Sequence, residues 1–264
     1  MPKLTYCYAD ISGRGIAPRH LLAHAKADYL DISYDYKISH KTENYDPVAN
    51  NHLLAKWPAD KQNLQKSNPF VLLPYVKTEE DKIISSTIGV MSYLGKRFGY
   101  LTGEDDFEVY NAFDQAHELR EGFLKSVASP MMHGIYSDPE GYVGPWRNLA
   151  TFELKLTQNG GQNGESKKYL FSDTKLSIAD FYLFSTISMM FKWHKNILGN
   201  YPKLAEWYAI LLAEDGLAQQ VEKEKDQPIL GNQDGYTEMG AKFKIPGMDN
   251  MFWGTPGKME AKFE

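Results

Sequence analysis

The 264-residue sequence predicts an α/β unit followed by an all-helical unit. Three observations carry this. Period-two alternation, the mark of a strand, is confined to the first hundred residues. From about Asp105 onward only helical periods recur. Between the two stands YLTGEDD (100–106), a glycine-containing acidic break that makes the best boundary. The chain divides accordingly into residues 1–100, residues 105–227 and an extended C-terminal tail over 228–264.

The elements follow in order. Residues 3–9 alternate as a strand, and APRHLLAHAKA (17–27) reads as an amphipathic helix. YLDISYDYKI (29–38) is rich in β-branched and aromatic residues and reads as a second strand. The polar stretch from Ser39 to Asn68 carries few periodic signals. FVLLPYVK (70–77) and KII (82–84) bracket TEED, a hairpin with an acidic turn. SSTIGVMSYLGKRFG (85–99) reads as a helix closed by glycine, and YNAFDQAHELREGFLKSVA (110–128) is the clearest helix of the second unit. In LSIADFYLF (176–184), Ser177 and Asp180 are spaced as a capping box with Asp in place of Glu, flanked by Leu176 and Phe181 as a hydrophobic staple. NGGQNGESKK (159–168) reads as an exposed loop.

Composition bounds the function. Hydrophobic residues at 42% and charged residues at 24% describe an ordinary globular protein. A net charge of −5 argues against a nucleic-acid surface, which needs a dominant basic field. The single cysteine excludes an internal disulfide or a cysteine-rich zinc site and fits a reducing compartment. MPKLTYCYAD is polar too early for a signal peptide, and FYLFSTISMMF (181–191) is too short to span a bilayer. The expectation is a cytosolic protein with no membrane span.

Several residues suit the handling of a thiol or of a carboxylate. Tyr6, Cys7 and Tyr8 stand together in LTYCYADISGRG (4–15), and each can hold or deliver a thiol. Leu73-Pro74 opens a strand after a loop, where proline suits a cis turn. Ser86 and Thr87 start a helix whose free amides and positive dipole end suit a carboxylate, or simply cap the helix. Trp57 and Lys61 offer an indole N–H and an ammonium; they read equally as a half-buried aromatic with a solvated cation. Asp114, Glu118 and Glu121 share a helix face as either an acid site or a solvated stripe. His20 and His24, one turn apart without a nearby acid, make a poor metal site.

Taken together and in order, WPADK (57–61), LPYV (73–76), STIGVMSYL (86–94) and SIADF (177–181) resemble the cytosolic glutathione transferases, with the sigma and mu classes fitting best, over roughly residues 3 to 225. The resemblance implies a thioredoxin-like N-terminal domain that binds glutathione and a helical C-terminal domain that covers a small electrophilic substrate. It implies that Tyr8, five residues before Gly13, donates its O–H to the glutathione thiolate, with Arg14 supporting it; Tyr6 is the alternative, and Cys7 is a small buried apolar residue. Arg19 falls where the family carries a helix arginine. Trp57 and Lys61 meet the glycyl carboxylate, the Leu73 backbone before Pro74 meets the cysteinyl unit, and Ser86 and Thr87 meet the γ-glutamyl carboxylate. An acid of the 110–128 helix, Glu121 by counting, meets the γ-glutamyl ammonium from a neighbouring subunit, and Phe70 plugs into that subunit, implying a homodimer. The chain departs from the pattern at Ser86, where the family usually has Gln, and by longer segments before Trp57 and after Lys61. Those departures keep open a second function on the same scaffold, a non-catalytic structural or assembly subunit. The tail carries Tyr236, Phe243, Phe252, Trp253 and Phe263, aromatics suited to docking an extended arm on a protein surface.

Overall fold

The computed structural model describes residues 3–34, 57–101, 107–133, 143–159, 167–192, 196–227 and 229. Most of the break at 100–106, the 160–166 portion of the glycine-rich loop, the end of the second predicted strand and nearly all of the tail lie outside them.

Four strands form a mixed sheet in the order β2-β1-β3-β4. They are β1 (Leu4–Ala9), β2 (Tyr29–Tyr34), β3 (Tyr75–Lys77) and β4 (Ile83–Ser85). β1 and β2 run parallel, as a crossover helix between them requires, and β3 and β4 are the predicted hairpin. That crossover is α1 (Ile16–His24), entered through a 3-10 turn at Gly13–Gly15. Tyr6, Cys7 and Tyr8 are all buried, so β1 is covered on both faces, the pattern of a central strand rather than a half-solvated one. α3 (Thr87–Phe98) starts at Ser86, whose hydroxyl accepts the Gly89 amide, and ends at Gly99 with φ 79°.

Within the polar stretch that showed no period, Trp57–Leu64 forms a helix, α2. Its mean hydropathy is low and it buries no residue completely, so it left no apolar stripe in the sequence. The remaining described elements are helices: α4 (Phe107–His133), α5 (Val143–Asn159), α6 (Ile178–Phe191), α7 (Pro202–Leu212) and α8 (Leu217–Glu224). α6 is buried on all sides, and α1, α3, α4 and α8 gather around it or one another. No helix among the described residues is long and apolar enough to cross a membrane.

The predicted capping box closes the start of α6. The Asp180 amide reaches Ser177 Oγ at 3.3 Å, while Asp180 Oδ2 accepts from the Ser177 amide at 2.9 Å and its hydroxyl at 2.7 Å. The structure adds two partners from outside the motif. Leu170 N–H and Trp207 Nε1–H donate to Asp180 Oδ1 at 3.0 and 3.2 Å. One buried carboxylate thus ties the start of α6 to the preceding loop and to α7.

Candidate active site

Sheet register brings the predicted residues to one end of the sheet. Cys7 pairs with Tyr75, and Tyr75 with Ser85. The end of β1 at Tyr8, the start of β3 after Pro74 and the end of β4 before Ser86 therefore lie side by side. Leu73–Pro74 is cis. β2 also ends here, at Tyr34, and α2 closes over it. The Trp57 ring lies 5.6 Å from Tyr34 and stacks on Tyr75 at 6.0 Å, and Tyr34 donates to Asp60 at 3.0 Å. Lys61 follows Trp57 by one turn, on the same face of α2. The α3 N-terminus follows directly from the end of β4; the Gly89 amide donates to the Ser86 hydroxyl and the Val90 amide to the Ser86 carbonyl, so the Thr87 and Ile88 amides precede the helical ladder.

The two tyrosines differ in what happens to their protons. Tyr6 is fully buried and donates to the Gly15 carbonyl at 2.7 Å. Tyr8 instead accepts the Arg14 amide at 2.8 Å, and among the described residues no acceptor stands opposite its own O–H. Burial pushes the Tyr8 phenol up, against the pull of the Arg14 amide and of the Arg14 and Arg120 charges, so the hydroxyl stays protonated and able to donate. Glycine is required beneath it. A Cβ at Gly15 would lie 2.0 Å from Tyr8 Cδ1, and one at Gly13, where φ is +32°, would lie 2.6 Å from the Tyr8 hydroxyl. Cys7 is buried, and burial lifts its thiol to about 11, which leaves it un-ionised and inert.

Arg14 reaches across to α4. Its Nε and Nη2 donate to the two Glu121 oxygens at 2.8 and 2.5 Å. Burial raises the Glu121 carboxyl, but Arg14 outweighs it and holds the group below the usual carboxylate range. Of the three acids on the predicted face, Asp114 and Glu118 are exposed and Glu121 turns inward. Both of its oxygens accept from an arginine of its own chain. Phe70 is 84% exposed and Leu72 is exposed near it, unlike core residues. Arg19 is structural: it pairs with Asp31 at 2.8 Å, donates to Ser33 at 3.0 Å and lies over the Tyr6 ring.

Two buried groups gave no signal in the sequence. Arg120 packs on Tyr182 between α4 and α6, with its Cζ 3.9 Å from the ring centroid. His20 joins α1 to α6 and α8, with Nδ1 2.7 Å from Ser185 Oγ and Nε2 3.0 Å from Glu224 Oε2. The latter is a serine–histidine–carboxylate line drawn from positions far apart in the chain. It is sealed, and the Ser185 proton goes to the Phe181 carbonyl at 2.5 Å, so the hydroxyl is no nucleophile. His24 is likewise engaged, by the Tyr100 hydroxyl at 2.7 Å. Beside Glu224, Lys192 Nζ donates to Ser12 Oγ at 2.8 Å, to the Gln227 carbonyl at 3.0 Å and to the Glu224 carbonyl. Burial lowers its pKa to about 8. The Gly13 amide donates to the Ile229 carbonyl at 3.1 Å, which brings the last described residue against the turn below Tyr8.

Residues 147–224 match the family model for the glutathione S-transferase C-terminal domain. No curated protein matches the chain. Among solved structures, the monomeric glutathione S-transferase Na-GST-3 of the hookworm Necator americanus is similar at 20% identity and a TM-score of 0.62, covering 84% of this chain and 97% of that one. The glutathione S-transferase of Ascaris lumbricoides aligns at 17% identity and 0.59, with the same coverage. Prostaglandin synthase D of Nilaparvata lugens aligns at 18% and 0.56, covering 84% and 98%. With a four-stranded mixed sheet, a cis proline opening β3 and a helical half that matches the family's C-terminal domain, the chain has the glutathione transferase fold.

Proposed function

We propose that the protein binds glutathione at this end of the sheet and uses the Tyr8 hydroxyl to hold its thiolate for attack on a small electrophile, or for a glutathione-dependent isomerisation. One observation carries this reading: the Tyr8 O–H, polarised by the Arg14 amide at 2.8 Å, has no acceptor among the described residues. A free thiol with a pKa of about 8.5 is only a few per cent ionised at neutral pH. Lowering it by about two units needs roughly 2.7 kcal/mol of preference for the anion, within reach of one charge-assisted bond and nearby dipoles. Tyr8 donates and is neither base nor nucleophile; Arg14, held by Glu121, fixes the turn that presents it. Trp57 and Lys61 supply donors for the glycyl carboxylate, the Leu73 backbone before Pro74 borders the cysteinyl unit, and the α3 N-terminus at Ser86 and Thr87 receives the γ-glutamyl carboxylate. Exposed Phe70 supports a homodimer with a second copy of the chain, and the isomerase variant draws on the likeness to the Nilaparvata lugens prostaglandin synthase. The lone buried cysteine supports a reducing, cytosolic setting.

A second reading, a binding or structural subunit on the same scaffold, is favoured by Ser86. Its short side chain caps α3 through Gly89 instead of reaching toward a ligand. Retention on immobilised glutathione followed by a conjugation assay with an aryl halide separates the two. Retention with turnover supports the transferase, retention without turnover supports a non-catalytic binding subunit, and no retention removes the transferase and leaves the structural subunit.

A further inference from the structure

Among the described residues, Arg120 is a buried cation without a matching anion. It is fully buried on α4, immediately before Glu121. Nε donates to Thr186 Oγ1 at 3.0 Å, Nη2 to the Tyr182 carbonyl at 3.3 Å, and the guanidinium lies over the Tyr182 ring. All of these partners are neutral, and among the described residues Nη1 has no hydrogen-bond partner. A bare charge in a dry seam is costly and is ordinarily answered by a carboxylate.

The acid beside it on α4 is not free to answer it. Both Glu121 oxygens are engaged by Arg14. The other titratable groups that act on this seam are Tyr8 on β1, His117 on α4 and Tyr182 on α6, with Asp114 exposed on α4 and Arg19 already paired with Asp31. Burial pushes His117 down and Tyr182 up, so both are neutral near pH 7. Two guanidiniums therefore stand against one carboxylate, and one net positive charge remains. Arg14 and Glu121 largely cancel at a distance, which leaves Arg120 as its source. Arg120 precedes Glu121 on α4, Glu121 holds the Arg14 guanidinium, and the Arg14 amide meets the Tyr8 hydroxyl at 2.8 Å, so the charge stands beside the site, where it opposes the rise that burial causes in the Tyr8 phenol. Being buried, it is screened little by salt.

We propose that Arg120 is an electrostatic positioning residue whose unmatched buried charge stabilises the anion held at the Tyr8 hydroxyl. This rests on the thiolate reading of the site given above. The cost of burying the cation in the apo protein is recovered when an anion arrives, so the charge favours thiolate over thiol without touching either.

The test is a pH titration of the ultraviolet absorbance of bound glutathione thiolate in the wild type, Arg120→Gln and Arg120→Lys. The glutamine variant is expected to raise the bound thiol pKa by about one unit and to slow conjugation by a similar factor of about ten below that pKa, with saturation by glutathione little changed. The lysine variant, which keeps the charge, is expected to stay near the wild type. Arg120→Met removes the charge while filling the volume and gives the same readout should the glutamine variant not fold. A wild type showing no thiolate below the pKa of free glutathione sinks the thiolate reading itself, before any variant is compared. Early ionisation in the wild type that survives charge removal, or a lysine shift as large as the glutamine one, overturns the role of Arg120.

Discussion

Two polar networks join the sheet half of this protein to its helical half, and they differ in what they leave undone. At Tyr8, Arg14 and Glu121 the ion pair is partly exposed, with side chains 50% and 21% accessible, and among the described residues the central hydroxyl keeps a proton without an acceptor. At His20, Ser185 and Glu224 the pair is sealed at 0% and 4%, and every hydroxyl and ring nitrogen has a partner. By residue type the His20 network is closer to a catalytic triad, yet its satisfied bonds make it a fastener. The Tyr8 network has the commoner residues and the open valence. Chemistry belongs where a donor is held in place without being used, and rigidity where all donors are used.

The contrast can be tested most forcefully at the fastener. Glu224→Ala leaves the His20 ring buried without its acceptor and removes the acceptor of Gln220, at 2.6 Å. It is expected to destabilise the fold by about 3–5 kcal/mol, measured by chemical denaturation, while turnover per folded molecule holds. A melting curve like that of the wild type would show that the α1–α6–α8 junction does not depend on this pair.

At the site the pattern inverts. Tyr8→Phe is expected to lower conjugation about 100-fold, as loss of one preorganised donor does, and to raise the bound thiol pKa, with a stability loss of about 1 kcal/mol because the part-buried Arg14 amide loses its acceptor. Tyr6→Phe is expected to do the reverse, losing about 1–3 kcal/mol of stability because its hydroxyl serves the buried Gly15 carbonyl. If the Tyr6 variant lost turnover and the Tyr8 variant kept it, the assignment of roles between the two would be wrong.

Gly15→Ala probes the same distinction from the backbone side. Its methyl would meet the Tyr8 ring at 2.0 Å and the Tyr6 hydroxyl at 2.7 Å. Overpacking of this kind costs about 1–3 kcal/mol and should displace Tyr8, so activity and stability fall together. A crystal structure of the variant with both rings unmoved would contradict this.

The smallest effect is expected for Glu121→Gln. Arg14 is half exposed, so the pair contributes no more than about 1 kcal/mol. Because the fold holds the Glu121 carboxyl below its ordinary range, that contribution is present above the unfolded pKa and disappears as pH falls through the folded one. The wild type should therefore lose its small advantage over the variant in acid. Equal pH-stability profiles for the two proteins would remove the pair from the account.

Much of this was legible in the chain because it is local. Strand alternation placed β1, the LPYV motif placed the cis turn and the hairpin, glycine placed the end of α3, and the Ser177–Asp180 spacing placed the start of α6. The residues proposed for the site, from Tyr8 to Thr87, also came from motifs, since each is tied to an element end that local sequence specifies. Helix α2 was missed because its residues bury little and so leave no apolar period. The additional partners of Asp180 lie on a loop and on α7, the partners of Tyr6 and Tyr8 are set by the Gly13–Gly15 turn, and Arg120 and His20 acquire meaning only when α4, α6 and α8 pack together.

Local pattern along the chain thus set the order of the elements, strands first and helices after, and the short motifs from which the candidate site residues were drawn. Tertiary packing alone decided which tyrosine keeps a free donor and which acid turns inward. It alone closed His20 into a sealed lock with Ser185 and Glu224, 165 and 204 positions away. Spacing along a strand or helix fixes which face a side chain takes. Whether its proton is left free depends on what the rest of the chain brings against it, and that pairing follows no local period.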